Sequence, residues 1–382
     1  MADQPSKQAT QLMLEFASRT GITSSQPQRR YLWTDAFAVC NFLALEQVTG
    51  EPGFLALATR LVELVHETLG RRREASGRGP WLSGLAERVG AEHPTVGGLR
   101  IGKPLEERGP DEPFDERLEW ERDGQYFHYL TRWMHALDQV ARATGEAKYG
   151  VWARELAAAA HHAFVYHPEG RAPRMHWKMS LDLSRPQVPS MGQHDALDGL
   201  VTCLQLGDGA SGAGPSLEAA RADFASMVDA SALATADPLG LGGLLVDAAR
   251  LVQLEPQTGM ERGLAGALVE AARIGLAHYL RQPDLRAIAG HRLAFRELGL
   301  AIGLKALPLL AREAAGRPPA SLDALLRVVP TGDAIIAFWL DPEHQRAEGW
   351  TAHLDINQVM LATALAPEGY LVRRPRRGLV TA

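Results

Sequence analysis

The chain has 382 residues, of which 46% are hydrophobic and 22% charged, the balance of a folded globular protein. Lys and Arg number 40 against 45 Asp and Glu, a formal charge of -5, which argues against a general affinity for nucleic acid. Two cysteines, Cys40 and Cys203, are too few for a disulfide scaffold or a zinc ribbon. No segment approaches the ~20 apolar residues that span a bilayer, and MADQPSKQATQ lacks a basic stretch followed by an apolar core. A cytoplasmic protein with no membrane partner is expected. No internal repeat, low-complexity tract or composition break divides the chain, so one domain, 1–382, is the simplest expectation.

The dominant periodicity is helical, and two kinds of helix alternate. After an N-terminal helix near 5–18, the stretch 31–49 is apolar on nearly every side through AFAVCNFLAL. Similar all-round apolar stretches fall near 120–144, 194–206, 239–253, 292–312 and 353–366. A helix of that kind is surrounded by others. Between them lie one-sided helices near 53–69, 147–164, 216–230, 258–281 and 319–340, the last broken by Pro330. In 147–164 the stripe is Tyr149, Trp152, Ala153, Leu156 and Ala160. Gly50, Gly145 and Gly207 stand where helices should stop. Six wrapped helices alternating with six wrapping ones predict an all-α fold, an (α/α)6 toroid.

Two long connections interrupt the rhythm. Loops 71–116 and 166–193 would leave the same end of the toroid and wall a cleft; alternation in RMHWKMSLDL suggests a short strand within the second.

Polar clusters mark the starts of five of the six wrapped helices. The first supplies Arg30, Trp33 and Asp35; the second Trp120, Asp123, Tyr126 and His128. The third supplies Gln193, His194 and Asp195; the fifth Arg292, Arg296 and Glu297; the sixth His353, Asp355 and Asn357. In a toroid these amino ends share one face, where free N–H groups also favour negative charge. Carboxylates and histidines there suit acid–base work on a polyhydroxylated ligand, with Trp33, Trp120, Tyr126 and Trp177 stacking on sugar faces. Plainer roles exist for many of them. Asp35 follows Thr34 and can cap its helix, and Asp195 with Asp198 can do the same. Arg296 and Glu297 can form a structural ion pair.

No HExxH, paired CxxC or EF-hand loop is present, so no metal is expected, although His128, His194 and His353 form a set that several helices could assemble. His128 and His135 stand two turns apart, too far to share an ion. There is no GxSxG elbow, P-loop or GxGxxG after a strand, and no cofactor is expected.

The blocks RRYLWTDAF, EWERDGQYFHYLTRWMHAL, MGQHDALDG and HLDINQVM resemble the inner-helix starts of the six-hairpin glycosidase superfamily, which includes glycoside hydrolases, polysaccharide lyases and the N-acylglucosamine 2-epimerase group. That resemblance implies a carbohydrate substrate and a site at those helix starts. Hydrolases of this kind use two carboxyl groups, here drawn from Asp35, Asp123, Asp195, Glu297 and Asp355. Epimerases use histidines, here His128, His194 and His353. A glycoside hydrolase acting on a small saccharide, inverting by resemblance, is the leading expectation. A sugar epimerase or isomerase is the alternative, and a carbohydrate-binding toroid without activity is a third.

Overall fold

The computed structural model describes residues 4–73, 79–188, 190–207, 214–254, 259–282, 284–313 and 321–375. Parts of the expected loop walls, 74–78 and 189, and of the expected helices near 258–281 and 319–340, lie outside the described residues. The fold is all-α with a few short strands. The helices are α1 (Gln4–Arg19), α2 (Leu32–Thr49), α3 (Pro52–Leu69), α4 (Glu87–Glu92), α5 (Glu116–Glu121), α6 (Phe127–Thr144), α7 (Ala147–Phe164), α8 (Asp195–Gly207) and α9 (Glu218–Met227). They continue with α10 (Pro238–Val252), α11 (Gly259–Tyr279), α12 (Ala294–Lys305), α13 (Leu307–Glu313), α14 (Leu322–Leu326), α15 (Val329–Leu340), α16 (Glu348–Thr351), α17 (Leu354–Leu365) and α18 (Glu368–Leu371).

The two expected kinds of helix are present. Every residue of α8 from Asp195 to Leu206 is buried, and α10 is buried continuously from Leu244 to Leu251. In α7, by contrast, burial follows Tyr149, Ala153, Leu156, Ala157, Ala160 and Phe164, a single stripe. Helix ends obey local chemistry. Gly145 closes α6 in the left-handed conformation, and Asp237 caps α10 by accepting from the Gly240 N–H with Pro238 in the first turn.

Three expected helices are interrupted. The stretch 120–144 is not one helix: α5 stops at Glu121, and Gly124 at φ 150°, a conformation open to glycine, turns the chain into a strand before α6 begins at Phe127. The stretch 292–312 divides at Ala306, with Pro308 in the first turn of α13. The region around Pro330 divides into α14 and α15, and the proline sits in the first turn of α15, where its missing N–H costs nothing.

The chain forms two compact units. One comprises Met1–Ala17, Asn41–Phe54 and Asp229–Arg373. In it α10 packs against α11 and α12, and α12 against α15 and α17. Glycines set the α10–α12 approach: a Cβ on Gly242 would overlap the Gly299 carbonyl, and one on Gly303 would overlap the Gly242 backbone. Asn41 donates to the Val359 carbonyl at 3.0 Å and accepts from Thr363 Oγ1 at 2.9 Å, tying the end of α2 to α17.

The other unit comprises Ser18–Cys40, Leu55–Val228 and Arg374–Ala382. Here α6 packs against α7 and α8, and α8 against α9. Strands β1 (Gln125–Tyr126), β4 (Lys178–Met179) and β5 (Pro186–Val188) form an antiparallel sheet in the order β1-β4-β5, with Gln125 opposite Met179. Strands β2 (Val165–Tyr166) and β3 (Arg174–Met175) pair separately. The alternation in RMHWKMSLDL therefore corresponds to β3 and β4. The long connections lie in this unit and are anchored from within. Asp123, fully buried, accepts from Arg73 at 2.7 Å, Arg100 at 2.9 Å and the Gly102 N–H at 2.9 Å. Lys178, also fully buried, gives its protons to the Glu119 carbonyl, the Glu119 carboxylate and the Arg122 carbonyl.

Candidate active site

The start of α6, the start of α8 and the first half of α2 bring one cluster together. Trp33 lies on α2, Tyr126 on β1, His128 on the first turn of α6 and Asp195 on the first turn of α8. The rings form a continuous ladder. Trp120 meets Trp177 edge-on at 4.9 Å, Trp177 stacks on Tyr126 at 5.0 Å, and Tyr126 stacks on His128 at 5.7 Å. Trp33 meets His128 edge-on at 5.9 Å. Tyr129 packs against both Trp33 and His128, and its hydroxyl lies 2.5 Å from that of Tyr31.

This packing changes what the aromatic residues can do. Tyr126 is stacked with Trp177 and His128 and is buried, as is Trp33, so neither presents an open face to a sugar. Trp120 is exposed and Trp177 half-buried, so the outer end of the ladder is where a ligand ring can stack.

Two titratable groups meet at the inner end. His128 Nδ1 lies 3.9 Å from Asp195 Oδ1, beyond hydrogen-bond length. Asp195 is buried, and its Oδ2 has no hydrogen-bond partner among the described residues. Burial pushes its carboxyl up to about 7, with the Gly192 N–H and the Arg132 charge pulling the other way. Burial pulls His128 down to about 3, and Arg132 lowers it further. Below about pH 7 the pair is therefore mostly a proton-bearing carboxylic acid beside a neutral imidazole: a donor and an acceptor, neither spent on the other.

Arg132 and Asp198 sit one turn further along the same two helices. Arg132 Nη2 donates to both oxygens of Asp198, each at 3.1 Å. The guanidinium also lies 5.8 Å over the Trp33 ring.

The remaining expected residues occupy other settings. Asp35 accepts from Arg30 at 3.2 Å and from the Tyr31 N–H at 3.1 Å, which closes the first turn of α2. Asp123 has its carboxylate filled by arginines and backbone N–H groups, the bonding of a structural anchor. Gln193 is exposed and His194 half-buried on the segment leading into Asp195.

In the other unit, Arg292 holds Glu297 with bonds of 2.6–3.1 Å, and the Trp339 indole donates to the same carboxylate at 2.8 Å. This is the structural ion pair anticipated for Glu297, with Arg292 rather than Arg296 as partner. Arg296 pairs with Asp237 across to α10. Asn357 donates to the Gly349 and Trp350 carbonyls, and His353, exposed, precedes α17 and meets Phe295 edge-on. Asp355 lies in the first turn of α17.

Among the described residues, no group of three His, Cys, Asp or Glu side chains is placed to hold a metal ion. The residues missed from sequence are Arg132 as part of the site and Lys178 as its support; Asp198 and Tyr129 stand in the polar and aromatic clusters that the sequence marks. Spacing carried a signal for Arg132, which is i+4 from His128 and so shares a helix face with a chosen residue. Nothing local marks Lys178, whose partners are about 60 residues away in the chain. Set beside known protein families, characterised proteins and solved structures, the chain matches none of them.

Proposed function

We propose that this chain is a carbohydrate-active enzyme, a glycoside hydrolase acting on a small saccharide or glycoside, with Asp195 as its general acid. The observation that carries this is the buried Asp195 carboxyl, raised to about 7, at the inner end of an aromatic ladder whose outer rings are open. In the reaction, Asp195 gives its proton to the glycosidic oxygen, the bond from that oxygen to the anomeric carbon breaks, and water adds there. The proton that the water loses returns to the Asp195 carboxylate, which restores the acid. The alternation of wrapped and wrapping helices, and the packing of consecutive wrapped helices within each unit, support an (α/α)6 toroid as the scaffold. Two buried thiols, Cys40 and Cys203, fit a cytoplasmic setting.

One observation favours a second reading, a sugar epimerase or isomerase. The 3.9 Å between His128 and Asp195 is far below the ~6.5–9.5 Å that separates the two groups of an inverting hydrolase. Adjacent acid and base suit enediol chemistry, in which His128 takes a proton from the carbon next to a carbonyl while Asp195 protonates the carbonyl oxygen.

The test is a panel of small disaccharides and aryl glycosides, with free aldoses and ketoses run in parallel in deuterium oxide. Cleavage that falls at least about 100-fold in D195N supports the hydrolase. Sugars recovered with carbon-bound deuterium, and no cleavage, support the isomerase. Turnover of neither class by the wild-type chain overturns both and leaves a binding protein.

A further inference from the structure

The acid and base form one row across α6 and α8, and directly behind it runs a second row of two full charges. Arg132 follows His128 by one turn of α6, and Asp198 follows Asp195 by one turn of α8. Both are buried, and the guanidinium holds both Asp198 oxygens at 3.1 Å. A buried guanidinium would ordinarily turn toward the nearest carboxylate and keep it ionised. Here it is bonded to Asp198, while Asp195, one turn earlier on α8, feels its charge.

We propose that Asp198 is a positioning residue: by engaging Arg132 at two points it spends the guanidinium charge away from Asp195 and so keeps Asp195 a proton donor. The inference rests on the reading of Asp195 as general acid and extends it to the residue that maintains that state. Among the described residues, these charged and titratable groups stand on the elements around Asp195. From α6 they are His128 and Arg132. From its own helix there is Asp198, and from the preceding segment His194. Trp33 of α2 brings no charge. Arg154 of α7 and Arg221 of α9 act on Cys203, two turns further along α8. Arg132 is the cation that pulls Asp195 toward ionisation against its burial, and two bonds to Asp198 hold that cation.

The experiment is a carbon-13 NMR titration of the full chain carrying labelled Asp carboxyl carbons, with the Asp195 signal identified by its loss in D195N. It needs no substrate, so its outcome is separate from that of the hydrolysis panel. In D198N the freed guanidinium turns to Asp195, whose titration drops by about one pH unit or more, while D198E keeps it at the wild-type position. In D198N/R132M, with both charges removed, it returns to within a few tenths of a unit of the wild-type position. Direct repulsion between the two carboxylates would instead leave the double variant as low as D198N, and that result overturns the proposal. So does a D198N titration unchanged from wild type. If D198N does not fold, the smaller D198S carries the same test: Asp195 titrates about one pH unit or more lower, and an unchanged position overturns the role.

Discussion

Asp195 is held in an unfavourable state. Its carboxyl titrates at about 7 when folded and at about 3.8 when unfolded, so above the lower value the unfolded chain sheds a proton that the folded chain keeps. Stability contributed at this position is complete below about 3.8 and is lost as pH rises toward 7. Replacing the group by the neutral D195N removes the penalty. The variant should be more stable than the wild type at pH 8 by up to about 4 kcal/mol and indistinguishable at pH 3.5, measured by urea unfolding. The same substitution should abolish turnover, the trade expected of a catalytic group kept buried for its chemistry. The wild-type rate should fall tenfold per pH unit above about 7, as the acid form is titrated away.

Elements are joined by contacts that tolerate little change. The crossing of α10 and α12 brings backbones together at Gly242, Gly299 and Gly303, where a Cβ has nowhere to go. G242A should cost about 3 kcal/mol in unfolding free energy, because two helix backbones must separate rather than one side chain turn aside. The long connection before α6 is held by Asp123. D123N should cost about 3–5 kcal/mol, since it strands the guanidinium groups of Arg73 and Arg100 beside a neutral amide. It should also release the 71–116 segment to proteolysis while leaving α6 and α8 protected from hydrogen exchange. Element identity was largely legible in advance, because each helix states its period within its own residues. The break around Pro330 was legible too; the other two were not. Gly124 turns the chain because Asp123, one residue earlier, is locked to side chains from another segment, and no local pattern announces that.

At the scale of the whole molecule, the largest opposing shifts between pH 4 and 7 fall on His66 and His128 on one side and Asp195 on the other, with His176 also pulled down by burial. His66, whose Nε2 accepts from the Trp133 indole at 3.1 Å, and His128 are each pulled down to about 3 by burial. Unfolding lets both gain protons below pH 6.5, so each subtracts about 1.4 kcal/mol of stability per pH unit on the acid side. Asp195 subtracts the same amount per unit in the opposite direction between about 3.8 and 7. The sum peaks near pH 6.5. It declines toward acid, and toward alkali over the short interval to about 7. Urea midpoints from pH 4 to 7 should trace this curve, and D195N should steepen the acid slope by removing the opposing group.

What the amino-acid order determined alone is the all-α class and the two kinds of helix, because helical period, all-round apolarity and capping are properties of neighbours in sequence. Which of the chosen residues have work left to do was decided only in three dimensions. Asp35, Asp123 and Glu297 look as able as Asp195 in one dimension, but each finds an arginine in the folded chain. Asp195 meets a neutral imidazole, and the arginine one turn behind it is bonded to Asp198. A carboxylate's proton affinity depends on burial and on charges a few ångströms away, and those neighbours come from separate helices.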